Sequence, residues 1–250
     1  MCWTRTYGGE VGVRWCGSGV TTRGMMKYLD RFIRWLKWPM ALAVAAATPA
    51  AAQAFWREGS ALMGASELGP PLATGAVAYW LAWLLFFRRR GWGSAVSTLE
   101  HELTHAIFAL ATLHRVHQLR MSWGSGGHVK ISRELDWPIL VAPYFFPTVA
   151  VAWALTLAAV SGHDGGLGGG ILGVSLAYQL TSTWRETHRG QSDLRRVGFG
   201  FAALFLPGAN LLSHGAVLAF YRAGILGLAS FAAAVWSGSE EFARALGALF

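Results

Sequence analysis

Two histidines and a glutamate inside one apolar segment are the residues of this chain with the clearest chemical potential. The sequence HELTH places His101 and His105 four positions apart, with Glu102 directly after the first histidine. Successive residues of an α-helix advance by about 100°, so the two imidazoles lie within about 40° of each other around the helix. Both imidazoles can therefore bind one metal ion, and zinc is the ion that this spacing favours.

Glu102 lies on the neighbouring strip of the same helix, where its carboxylate can hydrogen-bond a metal-bound water without being a ligand. A catalytic zinc ion has three protein ligands and one open position, and it lowers the pKa of its water to about 7. Glu102 would take the proton of this water and pass it to a leaving amine. The pattern therefore indicates hydrolysis by a zinc-activated water.

The third metal ligand must come from another part of the chain. His114 and His117 lie about 220° and 160° around the helix from His101, which is the wrong side. We choose Asp193, at the edge of an apolar run, where a carboxylate can turn inward. Its plainer interpretation is a helix N-terminal residue favoured by the helix dipole. The alternative ligands are Glu134, Glu186 and His214.

The chain around this motif has the composition of a membrane protein. It has 250 residues, 54% of them hydrophobic, and its 14% of charged residues is well below the roughly 25% of a soluble domain. Several uncharged stretches approach the roughly 20 residues that a helix needs to cross a bilayer. These stretches are 38–56, 70–87, 137–160, 167–184 and 197–221, with 225–236 as a shorter, marginal one. We predict an all-α polytopic membrane protein with about five or six transmembrane helices.

The net charge of +8 does not indicate a nucleic-acid partner. The basic residues gather beside apolar segments, at 27–37, 88–90 and 185–196, which is the placement that the positive-inside bias produces. We therefore expect a lipid bilayer as the partner of these residues, and no nucleic acid. Cys2 and Cys16 give neither a disulfide framework nor a metal site.

The sequence suggests one membrane domain behind a different N-terminal segment. Residues 1–34 form a polar leader, which is either disordered or precedes the true start at Met25 or Met26. Residues 35–250 form a single membrane-embedded domain with its core at 94–221. The first apolar run is either a signal peptide or a retained transmembrane helix.

A short β-hairpin is predicted at 118–132. Apolar and polar residues alternate on both sides of a Gly-Ser-Gly-Gly turn. Because a lone hairpin is only marginally stable in water, we expect this one to pack against the helices or the membrane interface. The alternative is a surface hairpin with no functional role.

Three further residues are candidates for contact with a substrate. Trp123 and His128 belong to the predicted hairpin, and His128 can approach the metal site from there or simply be an exposed histidine. Asn210 lies in the middle of an apolar run. Its amide can donate a hydrogen bond to a developing oxyanion or a substrate carbonyl, or it can bridge two helices.

Three segments of the chain resemble the site-2-protease-like intramembrane zinc metalloproteases. They are EHELTHAIFAL in an apolar helix, GGHVKI in the predicted hairpin, and SDLRRVG before a late membrane helix. The resemblance covers roughly residues 94–221. It implies a zinc site inside the membrane with His101 and His105 as ligands, Glu102 as the catalytic acid and base, and a distant aspartate as the third ligand.

The resemblance also has a departure and a consequence for substrate binding. Better-known members carry Asn-Leu-Leu-Pro followed by Leu-Asp-Gly on the third core helix, whereas PGANLLSHG in this chain has no Asp-Gly after Asn210. Asp193 is therefore assigned by similarity to the divergent, compact branch of the family. The family's hairpin implies that an extended substrate adds as a strand to an exposed edge.

The expected function is zinc-dependent hydrolysis of peptide bonds in a transmembrane or membrane-adjacent substrate. The substrate helix must be locally unwound, since a helix hides its amides from attack. We expect an integral, multi-pass protein of a bacterial inner membrane, and the sequence leaves its oligomeric state open. The alternative is a non-catalytic membrane protein that keeps a structural zinc site. A metal transporter ranks last, because few polar residues lie within the apolar runs.

Overall fold

Helices dominate the fold, and two small hairpins interrupt them. The computed structural model describes residues 2–5, 11–14, 20–87, 94–122, 126–131, 135–160 and 166–248, with side chains described from residue 27 onward except at 94–95 and 118–130. The elements are β1 (Cys2–Arg5), β2 (Val11–Arg14), α1 (Val20–Gly64), α2 (Gly69–Ala82), α3 (Ser94–Ala111), β3 (Val116–Ser122), β4 (Gly126–Ile131), α4 (Trp137–Val141), α5 (Thr148–Val160), α6 (Leu167–Glu186), α7 (Ser192–Val197) and α8 (Phe199–Gly247). A π-helical turn, Trp83–Phe87, follows α2, and a 3-10 turn, Ala142–Tyr144, follows α4.

The two hairpins are antiparallel pairs. β1 pairs with β2, and α1 then begins at Val20, inside the predicted leader 1–34. β3 pairs with β4 from Val116 opposite Ile131 to Ser122 opposite Gly126, with an irregularity after Val116. These strands occupy most of the segment for which the sequence predicts a hairpin.

Among the described residues, two helices are long and apolar enough to cross a membrane, namely Gly69–Phe87 and Phe199–Gly247. A third candidate exists if Trp137–Tyr144 and Thr148–Val160, which meet at a bend of 78°, count as one span. The sequence predicts about five or six. The numbers differ because two predicted runs share α8, and because α1 and α6 are rich in alanine, glycine and polar residues, which lower their hydropathy.

The predicted span 137–160 is broken near its middle. α4 and the 3-10 turn end at Tyr144, and α5 begins at Thr148 in a new direction. Pro147 explains the position of the break, because a proline disfavours helical conformation in the residue before it. The break directs Tyr144, which is fully buried, toward the interior of the bundle.

The two longest helices pack along each other. α8 is interrupted at Ala223 and Gly224, where Gly224 has a φ of 59°, so it consists of two arms. At the end of the first arm, Arg222 donates from Nε to Oε2 of Glu58 at 2.7 Å and from a terminal nitrogen to Oε1 at 3.1 Å. This bidentate pair fixes the register of α1 against α8.

α2 and α6 approach each other closely enough to exclude side chains. A Cβ atom on Gly75 would collide with the backbone of Gly170, and one on Gly173 would collide with the carbonyl of Leu72. Small residues permit such contact between membrane helices, where close packing replaces the hydrophobic effect.

α3 lies against α5 through polar contacts on one face. The hydroxyls of Thr104 and Thr148 are 2.5 Å apart, and Thr104 also donates to the carbonyl of Glu100. The buried carboxylate of Glu100 accepts from the backbone N–H of Val149 at 3.2 Å, in the first turn of α5. This carboxylate satisfies one of the N–H groups that a helix start leaves unpaired. These contacts fix how α3 is rotated about its own axis, and this rotation sets the direction of the two histidines.

Candidate metal centre

Three potential metal ligands converge between α3 and α7. Oδ2 of Asp193 is 3.5 Å from Nε2 of His101 and 3.3 Å from Nε2 of His105. One ligand atom from each residue lies within 4.8 Å of the other two. The side chains of His101, His105 and Asp193 are only 11%, 8% and 15% exposed. The two histidines predicted from spacing, and the aspartate chosen for them, are thus brought to one point.

The other nitrogen of each imidazole is engaged by the protein. Nδ1 of His101 is 2.7 Å from Oε2 of Glu186, and Nδ1 of His105 is 2.7 Å from the carbonyl oxygen of Ile139. Both partners are acceptors, so Nδ1 donates in each case and Nε2 is the nitrogen that faces Asp193. A metal-binding histidine typically donates its second ring N–H in this way, which fixes its tautomer and its orientation.

Asp193 reaches the histidines from the first turn of the short helix α7. Leu194 and Val197, each 2% exposed, anchor that helix in the core. Burial alone would raise the pKa of Asp193, but hydrogen bonds from His101 and His105 outweigh it and lower the pKa below its ordinary value. Asp193 therefore occupies a helix start and also faces the histidines.

This donor set fits a metal ion. Two neutral imidazoles and one carboxylate are the ligands of many catalytic zinc sites, in which a fourth position is open. Nε2 of each imidazole lies within 3.5 Å of Oδ2 of Asp193. The described part of the chain contains a second such group, Asp30, His114 and Asp136, in another region.

Two further side chains contact His101, and the sequence predicts neither of these contacts. Glu186, an alternative ligand from sequence, contacts Nδ1 of His101 instead of sharing a point with Nε2. The ring of Tyr144 packs edge-on against His101, with centroids 5.3 Å apart. Its buried hydroxyl makes no hydrogen bond to any described residue. The prolines at 143 and 147 are the only sequence signal for the turn that carries Tyr144.

Glu102 follows His101 on α3 and is partly exposed. Its carboxylate is close enough to Tyr144 to act on the phenol electrostatically, as are those of Asp193 and Glu186. Glu102 is the sequence neighbour of His101 and is not one of the three converging side chains.

An apolar groove opens beside the centre between α6 and α8. Tyr144 and Asn210 line its inner part, and Trp184, Phe199 and Pro207 are among its walls. Tyr144 is the link between the groove and the centre, because its ring packs against His101. A chain in an extended conformation can lie in a groove of this kind.

The amide nitrogen of Asn210 donates to the carbonyls of Tyr144 and Leu206, at 3.0 and 2.9 Å. These two bonds use both amide hydrogens, so the donor capacity that an oxyanion role requires is already occupied. The second interpretation of Asn210, a bridge from α8 to the turn that carries Tyr144, matches these contacts.

The remaining candidates lie elsewhere. His214 is buried, with Nδ1 2.9 Å from the carbonyl of Asn210, and it belongs to neither metal-ligand group of the described chain. His128 pairs with Arg120 in the register of β3 and β4, but its side chain is outside the described residues. Trp123 and Glu134 lie outside the described residues altogether.

Comparisons with protein-family models, with curated proteins and with solved structures find no match to this chain. The centre itself must therefore carry any functional interpretation. It combines three converging ligand atoms, two oriented imidazoles, one adjacent carboxylate and an apolar groove. These features together describe a group of side chains that can hold a metal ion, next to an apolar groove.

Proposed function

We propose that this chain is a multi-pass membrane zinc metalloprotease, similar to the site-2-protease-like family. The observation that carries the proposal is the convergence of His101, His105 and Asp193. The Nδ1 contacts of the two histidines with Glu186 and with the carbonyl of Ile139 support it. A pair of histidines without a ligand role does not need both rings to be oriented in this way.

Zinc held by these three side chains would supply Lewis acidity and lower the pKa of a water molecule. Glu102 accepts the proton of the attacking water and delivers it to the leaving amine. Glu186 keeps the ring of His101 in place during this transfer. The hydroxyl of Tyr144, which has no described partner, donates to the carbonyl oxygen of the scissile peptide as negative charge develops there.

The substrate is a transmembrane or membrane-adjacent peptide that enters along the groove between α6 and α8. The groove is largely apolar, and Tyr144, one of its lining residues, packs against His101. A helical peptide cannot present its amides to Glu102, so the segment that enters must be unwound. Glycine or proline near the cleaved bond should therefore accelerate hydrolysis.

The membrane arrangement proposed here has six spans. They are α1, α2 with its π-helical turn, the bent pair of α4 and α5, α6, and the two arms of α8. Large apolar side chains on these elements point outward, including Val160 at 80%, Trp184 at 82% and Leu226 at 80% exposed. Exposed apolar surface on this scale favours lipid contact, and we assign the protein to a bacterial inner membrane.

The test is hydrolysis of membrane peptides by the full-length protein in liposomes. The substrates are a set of transmembrane peptides with a central Gly-Pro pair, beside the same peptides with Leu-Leu. The wild type, Glu102→Gln and the matched control Glu67→Gln are compared for cleavage, and each is analysed for bound zinc. Glu67 is exposed and lies in the turn between α1 and α2.

We expect Glu102→Gln to keep its zinc and lose cleavage by a factor of about 100 or more, and Glu67→Gln to behave as the wild type. Equal cleavage by Glu102→Gln and the wild type would contradict the proposal. Zinc binding without cleavage of any peptide would favour the alternative, a structural site, which the low exposure of the three ligands also fits.

A further inference from the structure

A second group of potential metal ligands lies where α1, the end of α3 and the start of α4 meet. Asp30 belongs to α1, His114 follows α3, and Asp136 precedes α4. One ligand atom of each lies within 4.8 Å of the other two. All three residues are buried, at 7%, 3% and 3% exposed.

His114 directs a lone pair into this group. Its Nδ1 is 3.1 Å from the carbonyl oxygen of Thr112 and 3.0 Å from the hydroxyl of that residue, which itself donates to Phe108. Nδ1 is therefore the donor, and Nε2 is the acceptor. Nε2 is buried, makes no hydrogen bond within the described chain, and lies 3.9 Å from Oδ2 of Asp136.

The distance of 3.9 Å between Nε2 of His114 and Oδ2 of Asp136 distinguishes a hydrogen bond from two ligands of one ion. It is too long for a hydrogen bond, which ends near 3.2 Å for a nitrogen donor. Two ligands at about 2.0–2.2 Å from a tetrahedral ion lie about 3.3–3.6 Å apart, so an ion would draw these two atoms together by only a few tenths of an ångström. Two facing acceptors with this spacing are stabilised by a cation between them.

The backbone before His114 adopts an unusual conformation. Leu113 has a φ of 61°, in the left-handed region that a leucine rarely occupies. The N–H of His114 donates to the carbonyl of Ala109 at 2.7 Å, so the chain folds back under the end of α3. This turn normally carries glycine at the position of Leu113. The backbone strain thus lies at Leu113, the residue directly before His114.

Arg34 supports the carboxylate of Asp136 from the other side. Its Nε is 3.5 Å from Oδ1, while Oδ2 is the oxygen nearer His114. Carboxylates that bind metals are often held by a hydrogen-bond donor in this way. The guanidinium of Arg34 and an ion at Oδ2 thus contact different oxygens of the Asp136 carboxylate.

We propose that Asp30, His114 and Asp136 bind a second divalent transition-metal ion, with a structural role. One imidazole nitrogen and two carboxylate oxygens suit zinc, and also manganese or iron. The ion joins α1 to α4, next to the bond from Nε1 of Trp137 to the carbonyl of Ile33. α4 also carries Ile139, whose carbonyl orients His105, so the second ion stabilises the helix that supports the first centre.

The experiment measures zinc per chain in the full-length protein in detergent. The protein is stripped with a chelator, loaded with excess Zn²⁺, desalted and analysed by elemental mass spectrometry. The variants are His114→Gln and Asp136→Asn for the second site, and His105→Ala for the first. His214→Gln is the matched control, since His214 is equally buried and its Nε2 also lacks a described hydrogen bond, but no carboxylate group surrounds it.

We expect two zinc ions in the wild type and in His214→Gln, one in each single-site variant, and none in His105→Ala combined with His114→Gln. Zinc should also raise the Tm of His105→Ala, and this rise should be lost when His114→Gln is added. The same zinc content in His114→Gln, Asp136→Asn and the wild type would overturn the proposal. Because each site loses its own ion, failure of the proposed protease centre would appear separately, in His105→Ala.

Discussion

Glu186 holds His101 from the side opposite Asp193. Its Oε2 is 2.7 Å from Nδ1 of the imidazole, while Oδ2 of Asp193 is 3.5 Å from Nε2. The other oxygen of Glu186 accepts hydrogen bonds from Ser97 and Ser182, so the carboxylate is itself fixed. The last turn of α6 thereby determines how one ligand of the candidate centre is oriented.

Removing this support should weaken metal binding without removing a ligand. We expect Glu186→Ala to raise the Kd for zinc at the first centre by about 10- to 100-fold, because Nδ1 loses its acceptor and the ring can rotate. Competition with a chromophoric chelator measures this change. Ser182→Ala is the control and should change the Kd by much less. A Kd of the Glu186 variant equal to that of the wild type would show that Glu186 does not orient His101.

Asp193 should be required for one bound ion. We expect Asp193→Ala and His101→Ala each to contain one zinc ion fewer than the wild type, because each removes one of three converging ligands. Elemental analysis of the purified proteins measures this. Ser192→Ala, one position earlier, should retain the full content. If only the histidine variant loses zinc, the third ligand is another residue.

Removing the hydroxyl of Tyr144 should distinguish a catalytic role of this residue from a packing role. Tyr144→Phe removes a buried donor that has no described partner, so we expect an equal or higher Tm and unchanged zinc content. If the hydroxyl stabilises the developing oxyanion, kcat should fall by about 100-fold with little change in KM. Unchanged kcat with a raised Tm would assign Tyr144 to packing against His101 alone.

The pair of Glu58 and Arg222 should contribute to stability as a unit. The carboxylate is 10% and the guanidinium 31% exposed, so a partner left alone by one substitution is poorly solvated. We expect Glu58→Gln and Arg222→Met each to lower the free energy of unfolding by about 1–3 kcal/mol. In a double-mutant cycle followed by denaturation in mixed micelles, the coupling should be about 1–2 kcal/mol. A coupling near zero would mean that the contact does not stabilise α1 against α8.

The sequence predicts those parts of the centre that depend on local geometry. His101, Glu102 and His105 share one helix, so their relative positions follow from helical periodicity alone. Asp193 is predicted from its place at the edge of a long apolar run, where a carboxylate can turn inward, and from the resemblance to the divergent, compact branch of the family. The membrane character of the chain also follows from composition, since charge-free stretches are visible without any tertiary information.

Other features depend on contacts between distant segments and leave little trace in the sequence. The carbonyl of Ile139 is a backbone group, and every residue has one, so its bond to His105 has no sequence signature. Helical periodicity places His114 on the side of α3 away from His101, and the structure places it in the second group of potential ligands. The sequence predicts one continuous span at 137–160, although Pro147 marks the break before Thr148.

The placement of α7 has a consequence for the order in which the protein is made. Both imidazoles emerge early from the ribosome on α3, whereas Asp193 follows about 90 residues later, and a metal site rarely forms before its ligands are assembled. The insertion machinery must therefore deliver α5 and α6 to the bilayer before α7 can close the centre. A nascent chain that stalls before α7 holds an incomplete ligand set, so the proposed protease activity requires synthesis to pass α7.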